Sequence, residues 1–299
     1  MLTTSDNRTS KQVSLAEAQR RKKRRSDLLH ISVHSALIMC CVLALFPLLW
    51  TFITSITPRE LVYQWPPQFI PDNITFDAYA RALGKTDLPR NFLNSLLVTT
   101  ATVLGSLLIG SMAAFRFARG TFPGKNIILL FFIATIMVPG LSNIIPLYII
   151  MRELSLLNTY LSLILVYIAG AMPLTVWLLK GFIESIPKEL DESALLDGAS
   201  KFQVFRFVIL PLIGPGMAAA AVITFINSWN EFLLALTFIQ SPEKRTLQPG
   251  IQLFVGYYES TEWTLIAAAT LIACIPVIIL FIFLQRSLIA GLTAGAVKG

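Results

Sequence analysis

Apolar residues along this chain fall into six long runs parted by polar segments, at residues 28–53, 92–115, 127–150, 157–179, 212–238 and 263–284. A helix needs roughly 20 residues, at about 1.5 Å each, to cross a hydrocarbon layer. The pattern predicts an all-α membrane protein with six transmembrane helices. The first run, its helix taken to residue 56, is too long for a secretory signal core and lacks a small-residue cleavage site, so it is expected to stay in the mature chain. Pro139, Gly140 and Pro146 interrupt the third run, Gly170 and Pro173 the fourth, and Pro276 the sixth. Spanning helices tolerate such breaks where neighbours or water satisfy the freed carbonyls. The expectation is of helices that bend or line a path, with ordinary packing variation as the alternative.

Two polar segments have internal order. Residues 57–90 are rich in proline (Trp65-Pro66-Pro67, Pro71-Asp72-Asn73) and read as a compact surface loop ending in a short helix from Phe76 to Leu83. Asn73-Ile74-Thr75 has the form of a glycosylation acceptor, a short match treated as chance. Residues 185–211 are longer than most connections in a bundle. Ile186-Pro187 opens a helix whose first turns carry Glu189, Asp191 and Glu192, where the positive helix end favours them. That helix is expected to stop near Asp197, with Gly198 as a left-handed cap. Ser200 and Gln203 match a capping box, so a second short helix starts there and is expected to end before Pro211. Leu190, Ala194 and Leu195 form an apolar patch, and Ser193, Ala194, Gly198 and Ala199 permit close approach by another backbone. An amphipathic loop lying on the bilayer would be basic opposite its apolar face. The acidic first helix favours docking to a partner instead.

Composition agrees with the runs. Of 299 residues 55% are hydrophobic and 14% charged, against roughly 25% charged in soluble domains. The mean hydropathy is +0.69. The net charge of +7 is unevenly placed, with Arg20 to Arg25 all basic. A nucleic-acid patch is one reading of that cluster, but its position just before the first run makes it a cytosolic topology anchor. Arg116, Arg119, Lys125, Lys180, Lys188, Lys201 and Arg206 fall on the same side as the N-terminus, so both termini are expected in the cytoplasm. Trp50, Trp229 and Trp263 fall near outer boundaries, as aromatic belts do. Cys40, Cys41 and Cys274 lie in apolar runs with no metal spacing. His30 and His34 share a helix face without further ligands nearby, and no metal is expected. Residues 120–126 echo a phosphate loop, but with the wrong glycine spacing, Asn126 after the lysine and an internal proline. The organisation is then a basic segment 1–27, a first helix 28–56, an outer loop 57–90, a core 91–286 holding the loop 185–211, and a tail 287–299.

Polar groups at depth mark a path. Asn227, Asn230 and Glu231 cluster in the outer part of the fifth run. An acidic residue in a span is a functional candidate by default, with snorkelling to the interface as the alternative. Ser142 and Asn143 form a second candidate cluster beside Pro139-Gly140. The outer segment 240–262 carries Gln252, Tyr257 and Tyr258, suited to sugar stacking or to contact with an extracytoplasmic protein.

One stretch carries a specific resemblance. Glu192-Ser193-Ala194, three residues, Gly198, nine residues, then Val208-Ile209-Leu210-Pro211 resembles the cytoplasmic motif of ABC-importer permeases: Glu-Ala-Ala, three residues, Gly, nine residues, Ile, any residue, Leu, Pro. Ser193 and Val208 are mild departures, and Asp197-Gly198-Ala199 fits the usual Asp-Gly-Ala. Residues 116–125, Ser228-Trp229-Asn230-Glu231-Phe232 and the C-terminal 291–299 resemble carbohydrate-uptake permeases, the last being similar to the tail of the second permease subunit of maltose- and trehalose-type importers. The resemblance covers residues 28–299. It implies the type I ABC importer permease fold in the cell membrane, and transport of a di- or oligosaccharide through a path shared with a second permease. It also implies two ATP-binding cassette subunits, which hold ATP and Mg, and an extracytoplasmic solute-binding protein; this chain would bind no cofactor and catalyse nothing. Glu192, Ser193, Ala194, Asp197, Gly198, Ala199, Leu210 and Pro211 would couple to the ATPase, and Thr293, Gly295 and Lys298 would touch it from the tail. A glycerol-phosphate-type cargo is the alternative. A secondary transporter would show internal repeats and ionisable groups near the midplane, whereas the sequence has no clear repeat and almost no charge inside its spans, and a non-transporting scaffold would need neither the motif nor the bent spans.

Overall fold

The computed structural model describes residues 32–66, 68–69, 71–138, 140–256 and 261–296, with side chains as far as residue 285. Arg20 to Arg25, His30, Pro139, Tyr257, Tyr258 and Lys298 lie outside the described residues. Twelve helices organise the rest: α1 (Ser32–Ile56), α2 (Asp77–Gly84), α3 (Leu88–Arg119), α4 (Lys125–Ile136), α5 (Ile144–Glu153), α6 (Tyr160–Ser185), α7 (Glu189–Leu196), α8 (Lys201–Leu212), α9 (Gly214–Trp229), α10 (Leu233–Phe238), α11 (Leu247–Gln252) and α12 (Trp263–Ala296). Four, namely α1, α3, α6 and residues Trp263–Gln285 of α12, are singly long and apolar enough to cross a membrane. Two bent pairs raise this to as many as six: α4 with the stretch Gly140–Glu153, bent by 101°, and α8 with α9, bent by 76°.

The packing is that of a chain whose solvent is lipid. In α3 the buried stripe is small and polar (Asn91, Ser95, Thr99, Thr102, Ser106, Gly110, Ala114), while Leu93, Leu97, Leu104 and Leu108 are all more than half exposed. Hydrocarbon gives no reason to hide leucine, and small residues let backbones approach closely. α3 packs most extensively on α6, and α9 lies against α3, α6 and α12. Gly105 and Gly110 of α3 both come close to α6: a Cβ at Gly105 would run into Ile168, and one at Gly110 would sit 2.6 Å from Thr175 Cγ2. One buried cluster, at the end carrying α7 and α8, gathers Ala114, Phe117, Val176, Leu179, Ile183, Val204, Ile209 and Ile213. A second, at the opposite end, joins Ala82, Leu88, Phe225, Trp229, Leu265 and Ala269. α1 packs little against the rest, with none of its most apolar window buried.

Several expectations change. The third run bends between α4 and α5, as expected, but the fifth, expected as one helix, stops at Trp229 and resumes at Leu233. Trp229 is no belt residue. It is 1% exposed, stacks on Phe225 with ring centroids 5.5 Å apart, and donates from Nε1 to the Ala273 carbonyl at 3.1 Å. The helix from Ser200 does not end before Pro211 but runs through it to Leu212. Residues Val204–Ile209 form a π turn in which Leu210 N–H bonds the Phe205 carbonyl, and this widened turn precedes the proline ring that a regular α-turn would crowd. Finally α12 continues past residue 284, so Thr293 and Gly295 lie on a helix.

Candidate functional site

Two places hold the residues singled out by sequence. The first is the α7–α8 loop. Ile186 is extended, Pro187 turns the chain, and α7 begins with Glu189, Asp191 and Glu192 in its first turn. α7 closes in a Schellman arrangement: Gly198 N–H bonds the Leu195 carbonyl at 3.1 Å and Ala199 N–H bonds the Ala194 carbonyl at 3.0 Å, with Gly198 at φ 87°. The capping box at Ser200 is complete, its Oγ accepting from Gln203 N–H at 3.3 Å and Gln203 Oε1 accepting from Ser200 N–H at 2.7 Å.

The two helices have different duties. α8 is rooted in the bundle through Val204 and Ile209, with Phe205 5.4 Å from Phe115 between ring centroids. Ala194, Ala199 and Leu210 pack half-buried on the same cluster. α7 turns Leu190, Leu195 and Leu196 outward, Leu196 at 89% exposure, beside exposed Glu192, Ser193 and Asp197. Pro211 is exposed on α8. Asp191 alone among the acids of α7 is buried, because Arg119 at the end of α3 reaches it: Nε to Oδ2 is 2.5 Å, and Nη2 donates to the Ile186 carbonyl at 2.8 Å. A cleft of about 580 Å³ runs between α3 and α7, lined by Arg116, Arg119, Lys188, Lys201, Asp191 and Glu192 among others. Sequence reasoning read Arg119 as a topology charge and Asp191 as a helix-end acid; 72 residues separate them, and no local signal joins them.

The second place is a cavity of about 890 Å³ between α4, α5, α6 and α9. Asn143, Asn227 and Glu231 all line it. Asn230 does not: its Nδ2 donates to the Ile226 carbonyl at 3.0 Å and its Oδ1 accepts from Gln248 Nε2 at 3.3 Å. Thr135, Tyr167, Thr175, Thr224 and Ser228 add neutral polar groups, and Phe131 and Phe132 add aromatic faces. Glu231 is the one charged residue in the described lining, where no lysine, arginine or histidine appears. It sits in the break between α9 and α10 rather than snorkelling outward. Its Oε1 accepts from Leu234 N–H at 2.8 Å, and its Oε2 from Ala235 N–H at 3.0 Å and Tyr167 O–H at 2.6 Å. It therefore caps α10 and pins it to α6. Tyr167 was missed from sequence, although a tyrosine inside an apolar run is the same signal that singled out Asn227.

The opposite end is braced by polar ties. Arg81 of α2 bonds Glu262 at 2.9 Å, and Arg59 reaches the same carboxylate at 2.6 Å. Asn94 of α3 donates to the Glu243 and Arg245 carbonyls, both at 2.9 Å, and accepts from Tyr160 O–H at 2.8 Å. Exposed Gln252 ends α11 on this side.

Residues 106–293 match the family described as binding-protein-dependent transport system inner membrane component. A diacetylchitobiose uptake system permease protein of Streptomyces coelicolor is 37% identical over 85% of this chain and 92% of its own length. A trehalose transport system permease protein of Mycobacterium tuberculosis is 39% identical over 86% of this chain and 93% of its own. A galactooligosaccharides transport system permease protein of Bacillus subtilis is 36% identical over 88% and 93%. Among solved structures, a chain of a bacterial ABC transporter involved in the import of the acidic polysaccharide alginate superposes with a TM-score of 0.77 at 24% identity, covering 88% of this chain and 97% of that one, which shows a shared fold.

Proposed function

The chain belongs to the binding-protein-dependent inner membrane transport components, and on that premise we propose that it is one of two permease subunits of an ATP-driven importer whose cargo is a neutral di- or oligosaccharide. It is a multi-pass membrane transport component and not an enzyme. In this reading the bent pairs count as spans, giving six. Both termini and the α7–α8 loop face the cytoplasm, and the α2 and α11 end faces an extracytoplasmic solute-binding protein. Glu192, Ser193, Ala194, Asp197, Gly198 and Ala199 meet one of two ATPase subunits, which hold ATP and Mg; Leu210 and Pro211 seat α8 beneath them. Thr293, Gly295 and Lys298 belong to the segment that reaches the ATPase from the C-terminus. The path shared with the second permease uses the cavity, with Asn143 and Asn227 offering hydrogen bonds, Asn230 just outside it, and Glu231 shaping its wall.

The observation that carries the cargo class is the lining of the cavity. Neutral hydroxyl and amide groups with aromatic faces match sugar hydroxyls and ring faces. A lone carboxylate without a facing cation disfavours an anion such as a glycerol phosphate or a uronate, since like charges at low dielectric repel strongly. Two of the relatives are named for neutral saccharides, diacetylchitobiose and trehalose, which agrees with that class.

The test is uptake into proteoliposomes holding this chain, its partner permease, the ATPase subunits and the binding protein. Neutral disaccharide uptake is expected to be unaffected by excess glycerol phosphate or hexuronate, and lost with Glu192→Lys together with retention of the ATPase subunits. Uptake of the anions at a comparable rate, or stable ATPase association unaffected by Glu192→Lys, overturns it.

A further inference from the structure

We propose that the Arg119–Asp191 ion pair is the strut that passes displacement of α7 into α3; this rests on α7 being the element that meets the ATPase. The guanidinium closes the 2.5 Å contact to Asp191 Oδ2 and the 2.8 Å contact to the Ile186 carbonyl at once. Ile186 and Asp191 flank Pro187, so one side chain grips the strand on both sides of the bend from α6 into α7. Both side chains are about one-tenth exposed, at 10% and 12%. Asp191 therefore is not offered to a partner, whereas its neighbour Glu192 is exposed and holds no ion pair among the described residues.

Apolar contact alone joins α7 to the bundle loosely: Ala194 packs inward, while Leu190, Leu195 and Leu196 turn away. A helix so attached slides or lifts when pulled. The fork of Arg119 removes that freedom, because it fixes α7 in direction as well as distance, which a lysine point charge does not. A buried pair adds little net stability once desolvation is counted, so what it contributes here is a defined position. α3 is the helix through which a displacement spreads, since it packs on α6, α9 and α11, and α6 and α9 line the cavity.

The experiment compares Arg119→Ala, Asp191→Ala, their double variant and Arg119→Lys in the full reconstituted importer. It reads two quantities: ATPase subunits retained on purification, and cargo carried per ATP hydrolysed. The single alanine variants are expected to keep the ATPase subunits and lose about tenfold in cargo per ATP, the scale of an ordinary coupling between sites. The double variant is expected to be no worse than either single, because the two residues act as one unit. Arg119→Lys is expected to fall between the wild type and Arg119→Ala. Unchanged cargo per ATP in the singles, or losses that multiply in the double, overturns the strut. Failure of every variant to assemble, Arg119→Lys included, makes the pair a folding element and overturns it too. If instead the wild-type complex holds no ATPase subunits, it is the docking role of α7 that fails.

Discussion

Gly198 offers the cleanest test of how the α7–α8 loop is shaped. Its φ of 87° is a left-handed backbone, and a Cβ built there meets nothing within 4 Å. Side-chain volume is thus irrelevant, and any penalty for substitution is a backbone penalty. An L-residue with a Cβ pays about 1–2 kcal/mol to enter this region, Asn pays less, and a β-branched residue pays more. A penalty of that size lowers the closed population of the loop by about 5- to 30-fold. The reporters are the two N–H groups of the Schellman turn, Gly198 to the Leu195 carbonyl and Ala199 to the Ala194 carbonyl. Hydrogen–deuterium exchange on the assembled importer is expected to quicken at residue 199 in the order Gly198→Asn, Gly198→Ala, Gly198→Val, with the α3–α6 amides unmoved. Cargo uptake is expected to follow the same order. If Gly198→Val exchanges no faster than Gly198→Asn, the loop does not depend on left-handed backbone and its geometry has been misread.

Other substitutions probe the bundle and the cavity wall. Gly110→Ala drives a Cβ into the buried methyl of Thr175 and is expected to cost about 1–3 kcal/mol in the thermal unfolding of the purified complex, with Thr175→Ser as a partial rescue because it removes that methyl. Glu231→Gln leaves one acceptor oxygen facing donors from Leu234, Ala235 and Tyr167, so it is expected to destabilise by about 1–3 kcal/mol, while Tyr167→Phe, which removes only one donor, costs less; denaturation midpoints rank them. Ser200→Ala breaks the capping box and is expected to raise exchange at Gln203 N–H with a cost of about 1 kcal/mol.

What was legible in sequence was local. The caps of α7 and α8 were readable because Gly198 and the Ser200–Gln203 pair act within one turn of the residues they satisfy. The long apolar runs were readable because lipid rewards apolar surface wherever a helix faces it. The failures are non-local or geometric. Trp229 lies near the end of a run and so looked like an interfacial residue, but the break at 230–232 ends the helix there, and the indole is clamped between Phe92, Phe225 and the Ala273 carbonyl. The run through Pro211 needed the π turn before it, which no residue type announces.

The adjacent acids Asp191 and Glu192 show where sequence reading stops for function. Both sit in the first turn of α7, and both suit the positive end of its dipole equally well. Sequence spacing singles out Glu192 because a partner would read it, and the fold leaves it exposed. Helical geometry then sends the preceding side chain about 100° around the axis, which carries Asp191 under α7 to Arg119. A residue presented to a partner can transmit force only if something behind it resists. That resistance comes from a side chain outside the motif, paired with a residue 72 positions away. On the proposed reading, the motif marks where a partner touches the chain, and the ion pair beneath it determines which helix moves in response.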